Sequence, residues 1–449
     1  MKRLFFFISV LVSAVEFPLF SLAEKEIKLW MLCSLFAVVF FAFDFLKKDF
    51  SVFKRSRIFY LGIIIIISAL LALINSPRLG FSFNQILVFA TLLPLAVFWE
   101  INFSGLKKEG YAALALGMIL SCIYAIYQNI AFDKGWSHFE VMAARPNAFF
   151  YEPDWLGFYL ALGLIPFLNL LIFKKTLGKN FSFFGNRFNL LFFNILIFTG
   201  ILLTVARSGW LALIGGFLVM TGADFLKLWG WKKDNLLKAL KKGSLSIVKF
   251  LLLIAVAYSA ISIFGLSRFN LADRFRSIFF KEHIITLAFN EANGEKFKIN
   301  LEEKEVYLSR GYKIIEEYIE DENVSSREEK AVKNTEIIKK HFFLGSGPGI
   351  NQIMTDYEHN ANNLFLEWWS GWGLLSLVSL IGFIFCLTVK AFKIIFDKKD
   401  TSAALILSGL AAFIIVNMFN ASNLLAFAWL YLAWLSSMVD FSFPFKKNN

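Results

Sequence analysis

Twelve apolar runs alternate with polar stretches along the chain, at roughly 4–22, 27–45, 58–74, 84–101, 111–131, 154–173, 188–206, 208–225, 245–266, 366–389, 402–418 and 423–438. Most approach the ~20 residues that a helix needs to cross ~30 Å of hydrocarbon. The run IFYLGIIIIISALLALI, from Ile58 to Ile74, is the plainest. The pattern predicts an all-α polytopic membrane protein with about 12 transmembrane helices. The first run follows Met-Lys-Arg like a signal peptide, but no cleavage site of the A-x-A kind follows it, so it is read as a span.

One stretch breaks the rhythm. From Ser267 to about Asn363 charged and apolar residues alternate with helical spacing, as in LEEKEVYLSRGYKIIEEYIEDENVSSREEKAVKNTEIIKKHFF. Two helices are expected there, over 301–320 and 326–342, the second opened by the capping-box pair Ser325 and Glu328. The GSGPG at Gly345 to Gly349 reads as a turn; no Lys-Ser/Thr follows it, so it is not a phosphate-binding P-loop. The chain thus divides into spans 1–9 (1–266), a large, mostly helical loop (267–363), and spans 10–12 with a tail (364–449).

Composition agrees: 57% of the 449 residues are hydrophobic and the mean hydropathy is +0.61. The formal charge of +12 is explained by topology. Alternate connections plus the two ends hold roughly twenty-five Lys and Arg, against about six in the opposite short loops. Both termini are therefore expected in the cytoplasm and the long loop outside, in the periplasm. No basic-aromatic patch of the kind that binds nucleic acid is present. Cys33, Cys122 and Cys386 fall inside apolar runs with no metal-ligand spacing, and no internal repeat is evident.

Candidate chemistry then collects on the outer side. Arg145, Glu152 and Asp154 lie in ARPNAFFYEPDWLGFYL, at the entry of the sixth run. Arg207 lies in LLTVARSGWLALIGG, where two runs meet with almost no loop. A guanidinium beside hydrocarbon is costly unless it snorkels or is paired, so Arg207 is either an interfacial anchor or an anion site. Arg268, Arg274 and Arg276 follow the ninth run, and Arg327 opens the second loop helix; taken singly these read as surface charges. His359 stands just before the tenth run, flanked by Glu358 and Asn360, with Asn363 close by. An imidazole titrates near pH ~6.5 and can accept a hydroxyl proton at neutral pH. Trp368, Trp369 and Trp372 fit an interfacial aromatic belt. Arginines with one candidate base suit transfer from a lipid-anchored phosphate ester to a hydroxyl.

The stretches RPNAFFYEPDWLGFYL, TVARSGWLAL and FFLGSGPGINQIMTDYEHNANNLFLEWWSGWGLL, in this order and on one side, resemble the O-antigen ligase and O-antigen polymerase superfamily of bacterial polytopic membrane glycosyltransferases. The resemblance implies a glycan donor on undecaprenyl pyrophosphate and a metal-independent, cofactor-free transfer at the outer face of the bacterial inner membrane. It also implies pyrophosphate binding by Arg145, Arg207 and Arg327, and a base role for His359. Glu152 is the alternative base, and Glu358, Asn360 and Asn363 are possible acceptor contacts. The acceptor is lipid A core for a ligase, a lipid-linked glycan for a polymerase, or protein for an oligosaccharyltransferase. A transporter of lipid-linked sugars is the competing reading. It predicts ionisable residues deep inside spans, which are scarce here, with Glu16 and Asp44 as exceptions near span ends.

Overall fold

The computed structural model describes the chain except at residues 23–24, 47–52, 54, 143, 174–177, 231–232, 268, 270, 281, 291–293, 299–303, 321, 351–362, 396–401, 423 and 440–449. The described residues are mostly helical. Helix α1 (Lys2–Val12) leads to a hairpin of β1 (Pro18–Leu22) and β2 (Lys25–Lys28), then α2 (Leu29–Leu46), α3 (Arg57–Ala72), α4 (Leu79–Phe103) and α5 (Lys107–Lys134). There follow α6 (Pro153–Phe173), α7 (Arg187–Leu203), α8 (Arg207–Trp229) and α9 (Lys233–Ile263). The polar segment holds α10 (Leu271–Phe280), β3 (Glu282–Phe289), β4 (Lys296–Lys298), α11 (Lys304–Ser309), β5 (Lys313–Glu320) and α12 (Glu322–Lys340). After it come a single helical turn, α13 (Leu364–Glu367), a π-helical turn (Trp368–Trp372), α14 (Leu374–Ile394), α15 (Ser402–Asn417) and α16 (Ala426–Ser437).

Each of the twelve apolar runs contains a helix, but among the described residues seven helices are long and apolar enough to cross a membrane: α3 to α6, α8, α9 and α14. Shorter apolar helices lie at Leu29–Phe43, Arg187–Leu203, Ser402–Asn417 and Ala426–Ser437. The first run is only half helix: α1 stops after 11 residues, and Pro18 opens a strand instead. The long polar segment also departs from expectation. In place of a helix over 301–320 it has the short α11 and then β5, which pairs antiparallel with β3 from Glu282↔Glu320 to Phe289↔Lys313. The partner strand lies some thirty residues upstream, so a local helical period does not reveal the pairing. The helix expected over 326–342 begins earlier, at Glu322, which places Ser325 inside it.

Charges buried in the bundle are held by several donors at once, as their desolvation requires. Glu100, only 5% exposed near the end of α4, accepts from the backbone N–H of Arg57 (3.3 Å) and of Ile58 (3.1 Å), at the start of α3. It also accepts from the hydroxyls of Ser56 (2.5 Å) and Ser436 (2.5 Å). One carboxylate thereby caps α3 and pins the end of α16. At the opposite end of α16 the buried Glu16 takes the Lys28 ammonium at 2.8 Å and the Ala426 N–H at 3.4 Å.

Two close approaches set the end of the bundle that carries Arg207. A methyl group on Gly209 of α8 would come within 3.0 Å of the Gly157 carbonyl, and one on Gly157 within 2.6 Å of the Ala206 Cβ. Small residues let helix backbones meet in this way. The π-helical turn packs on the GSGPG segment, with Ser346 N–H donating to the Ser370 carbonyl (2.7 Å) and Gly347 N–H to that of Gly371 (3.1 Å). Gly373, at φ +90, has no room for a side chain, since a Cβ would sit 2.6 Å from the Leu344 oxygen. Trp368 and Trp372 are buried here against Phe89 and Trp429, so they are core residues and not the interfacial belt that the sequence indicates.

Replacing Glu100 by Ala leaves several buried donors unpaired. It is expected to lower stability by about 3 kcal/mol, read as the thermal unfolding midpoint in detergent. Glu100→Gln, which keeps two acceptor lone pairs, is expected to lose less. Equal midpoints for Glu100→Ala and the parent protein would contradict the clamp.

Candidate functional site

The site grows from the turn between α7 and α8. Helix α7 ends at Leu203, and the Thr204 hydroxyl, which donates to the Ile201 carbonyl at 2.8 Å, accepts the Ala206 N–H at 3.2 Å. Between them Val205 is held at φ +54, a left-handed conformation that costs a β-branched residue about 1–2 kcal/mol. Helix α8 then starts at Arg207 with no side-chain cap. Its first N–H groups face outward from the helix end, an arrangement that favours anions.

Arg145 arrives from another segment and locks onto this turn. Its Nε donates to the Thr204 carbonyl at 3.3 Å, and its Nη2 pairs with Asp154 Oδ1 at 3.0 Å, in the first turn of α6. The preceding residue, Ala144, is also left-handed, at φ +58, and its N–H donates to Glu140 at 3.1 Å. Strained backbone therefore flanks both arginines, as is common where a fold fixes side chains for chemistry.

Two further arginines complete a polar cavity of about 130 Å³, lined by Arg145, Asp154, Arg207, Ser208, Arg274 and Arg327 with Val205 and Phe269. One water needs only about 10–15 Å³ of such space, so the cavity has ample room for a polyatomic anion. Arg274 lies over the Phe269 ring at 5.0 Å and Arg327 over the Phe419 ring at 5.9 Å. Both contacts steady a guanidinium through its flat face. Among the described lining residues four guanidinium groups face one carboxylate, a set that suits an anion with several acceptor oxygens.

The structure thus brings together Arg145, Arg207 and Arg327, all three of the arginines singled out from sequence. Arg274 joins them, although by sequence it reads as a surface charge; Arg276 is exposed. Glu152 sits half-buried one residue ahead of α6. Its charge acts on Lys330, which lies one turn beyond Arg327 on α12 and is only 5% exposed. Burial lowers the Lys330 pKa and the Arg327 charge lowers it further, against the opposing pull of Glu152. Sequence reading missed Lys330; its i+3 spacing from Arg327, continued by the buried Asn334, was the available signal. Asn363 is engaged as a cap, accepting from the N–H groups of Phe365 (2.9 Å) and Leu366 (3.1 Å) and donating to the Met418 carbonyl (3.2 Å). His359, Glu358, Asn360 and Arg268 lie outside the described residues.

A second, apolar cavity of about 500 Å³ is built partly by the same helices. Helix α8 puts Arg207 and Ser208 into the polar cavity and Trp210 and Leu213 into the apolar one. Helix α10 likewise turns Arg274 to the first and Leu271 and Phe275 to the second. Helices α7 and α9 supply most of the remaining apolar lining, including Phe198 and Phe250. A charged compartment thus adjoins a greasy one of greater size.

Comparison of the chain with protein-family models, curated proteins and solved structures finds no match.

Asp154 competes with any bound anion for Arg145. Asp154→Asn is expected to strengthen binding of inorganic pyrophosphate about two- to fivefold at low ionic strength, by calorimetry on detergent-solubilised protein. Weaker binding in that variant would mean that Asp154 serves chiefly to aim Arg145.

Proposed function

We propose that the chain is a polytopic membrane glycosyltransferase of the O-antigen ligase type, which moves a glycan from undecaprenyl pyrophosphate to an acceptor hydroxyl, that of lipid A core in the ligase case. The observation that carries this reading is the polar cavity of four arginines beside a larger apolar cavity, with α8 and α10 lining both. A lipid pyrophosphate is such a molecule: a multiply charged head on a long hydrocarbon chain. The apolar lining offers a polyprenyl chain burial worth roughly 25 cal/mol per Å², while the arginines take the pyrophosphate.

In this reading the protein has twelve spans, both termini in the cytoplasm and the segment 267–363 in the periplasm, at the outer face of the bacterial inner membrane. The basic residues of alternate connections support that orientation. The acceptor hydroxyl attacks the anomeric carbon and the bond from that carbon to the pyrophosphate oxygen breaks, with inversion. Negative charge grows on the departing pyrophosphate, and Arg145, Arg207, Arg274 and Arg327 stabilise it. The acceptor proton passes to His359, with Glu152 as the alternative base. The buried carboxylates Glu16 and Glu100 are held by an ammonium, hydroxyls and helix N–H groups, which suits structural clamps better than stations on a transport path.

Arg207→Ala and His359→Ala are each expected to leave expression intact and to lower glycan transfer at least a hundredfold, judged from glycan gels of a deletion strain carrying the variants. Near-normal glycan with Arg207→Ala would sink the reading. The same gels identify the acceptor, because loss of a ligase leaves uncapped core whereas loss of a polymerase leaves core bearing a single unit.

A further inference from the structure

Beside the arginines the polar cavity has one lining hydroxyl. Ser208, second residue of α8 and 4% exposed, lines the cavity beside Arg207. Its Oγ accepts a hydrogen bond from Asn420 Nδ2 at 2.9 Å. The same nitrogen faces the Val416 carbonyl at 3.4 Å. A carbonyl only accepts, so the atom opposite it must be the amide nitrogen, and this fixes which way the Asn420 amide points. A hydroxyl has one hydrogen to give. With Asn420 donating to Ser208, that hydrogen stays available to the cavity.

We propose that Ser208 donates a hydrogen bond directly to the anion bound in the four-arginine cavity, and that Asn420 is the positioning residue that orients it. The inference rests on the anion-binding part of the function proposed above. The segment that carries Asn420 is itself well anchored. The Ser422 hydroxyl donates to Asn417 Oδ1 at 2.6 Å, Asn363 donates to the Met418 carbonyl at 3.2 Å, and Phe419 lies against Arg327. The turn after α15 thus touches two walls of the cavity, Ser208 through Asn420 and Arg327 through Phe419. With Ser208 the cavity gains a neutral, short-reach donor beside the guanidinium groups, which suits the oxygens of a phosphate ester or pyrophosphate.

The test is calorimetric titration of the detergent-solubilised full chain with inorganic pyrophosphate and, separately, with farnesyl pyrophosphate, at matched thermal unfolding midpoints. Ser208→Ala is expected to weaken both ligands about tenfold or more, since a hydrogen bond to a charged group is lost. Ser208→Cys, which keeps the volume but is a poor donor, should lose as much and guards against an unfolded Ala variant. Asn420→Ala should cost a few-fold in the parent chain and nothing further in the Ser208→Ala background, because it acts through Ser208. Asn420→Asp should be worse than Asn420→Ala, as a carboxylate takes the Ser208 hydrogen for itself. A similar fold loss for both ligands assigns the contact to the phosphates and not to the lipid chain. Parent-like affinity in both Ser208 variants, or additive losses in the double variant, would overturn this inference while leaving the anion site standing. No binding of either ligand by the parent chain would overturn both.

Discussion

Arg145 is the interaction on which the candidate site hangs. Its guanidinium ties the loop before α6 to the first turn of α6 through Asp154, and both to a segment some sixty residues on, the turn between α7 and α8, through the Thr204 carbonyl. A charge next to an apolar bundle is tolerated only when its desolvation is offset by several directed partners, and each partner here also fixes a neighbouring part of the cavity. The Thr204 carbonyl belongs to the same turn as the strained Val205, so that contact bears on where Arg207 begins α8. The fold stores strain at Ala144 and Val205 and secures it through this one side chain.

The same rule governs the rest of the bundle. Glu100 and Glu16 are buried at opposite ends of α16, and both use helix N–H groups that would otherwise lack partners in an apolar setting. Elsewhere the chain relies on close contact. The Gly157 and Gly209 crossing brings α6 and α8 near enough for Asp154 and Arg207 to share a cavity. The π-helical turn with Gly373 allows the GSGPG segment to dock against α14. In the same turn Trp368 and Trp372, which a purely compositional reading assigns to the membrane interface, are buried against Trp429 and Phe89.

In the proposed function the two cavities divide labour along shared helices. Because α8 and α10 each turn a charged face to one and an apolar face to the other, a ligand head bound by the arginines would have its hydrocarbon directed alongside α9. Short α10 is the clearest instance, with Arg274 and Phe275 adjacent in sequence and facing different compartments.

Twelve apolar runs, the bias of basic residues and the choice of Arg145, Arg207 and Arg327 as candidates are all legible in the sequence, because they depend on composition and local order. These three arginines line one cavity, whereas Asn363 caps a helical turn. What the tertiary structure alone decided is which runs form long helices, where β5 finds β3, and that Arg274, Ser208 and Lys330 belong at or beside the site. Those outcomes depend on contacts between segments far apart in the chain. A period of 3.6 or 2 residues reports which face of an element is apolar, whereas the distance between Thr204 and Arg145, or between Asn420 and Ser208, is set by how segments far apart in the chain pack together.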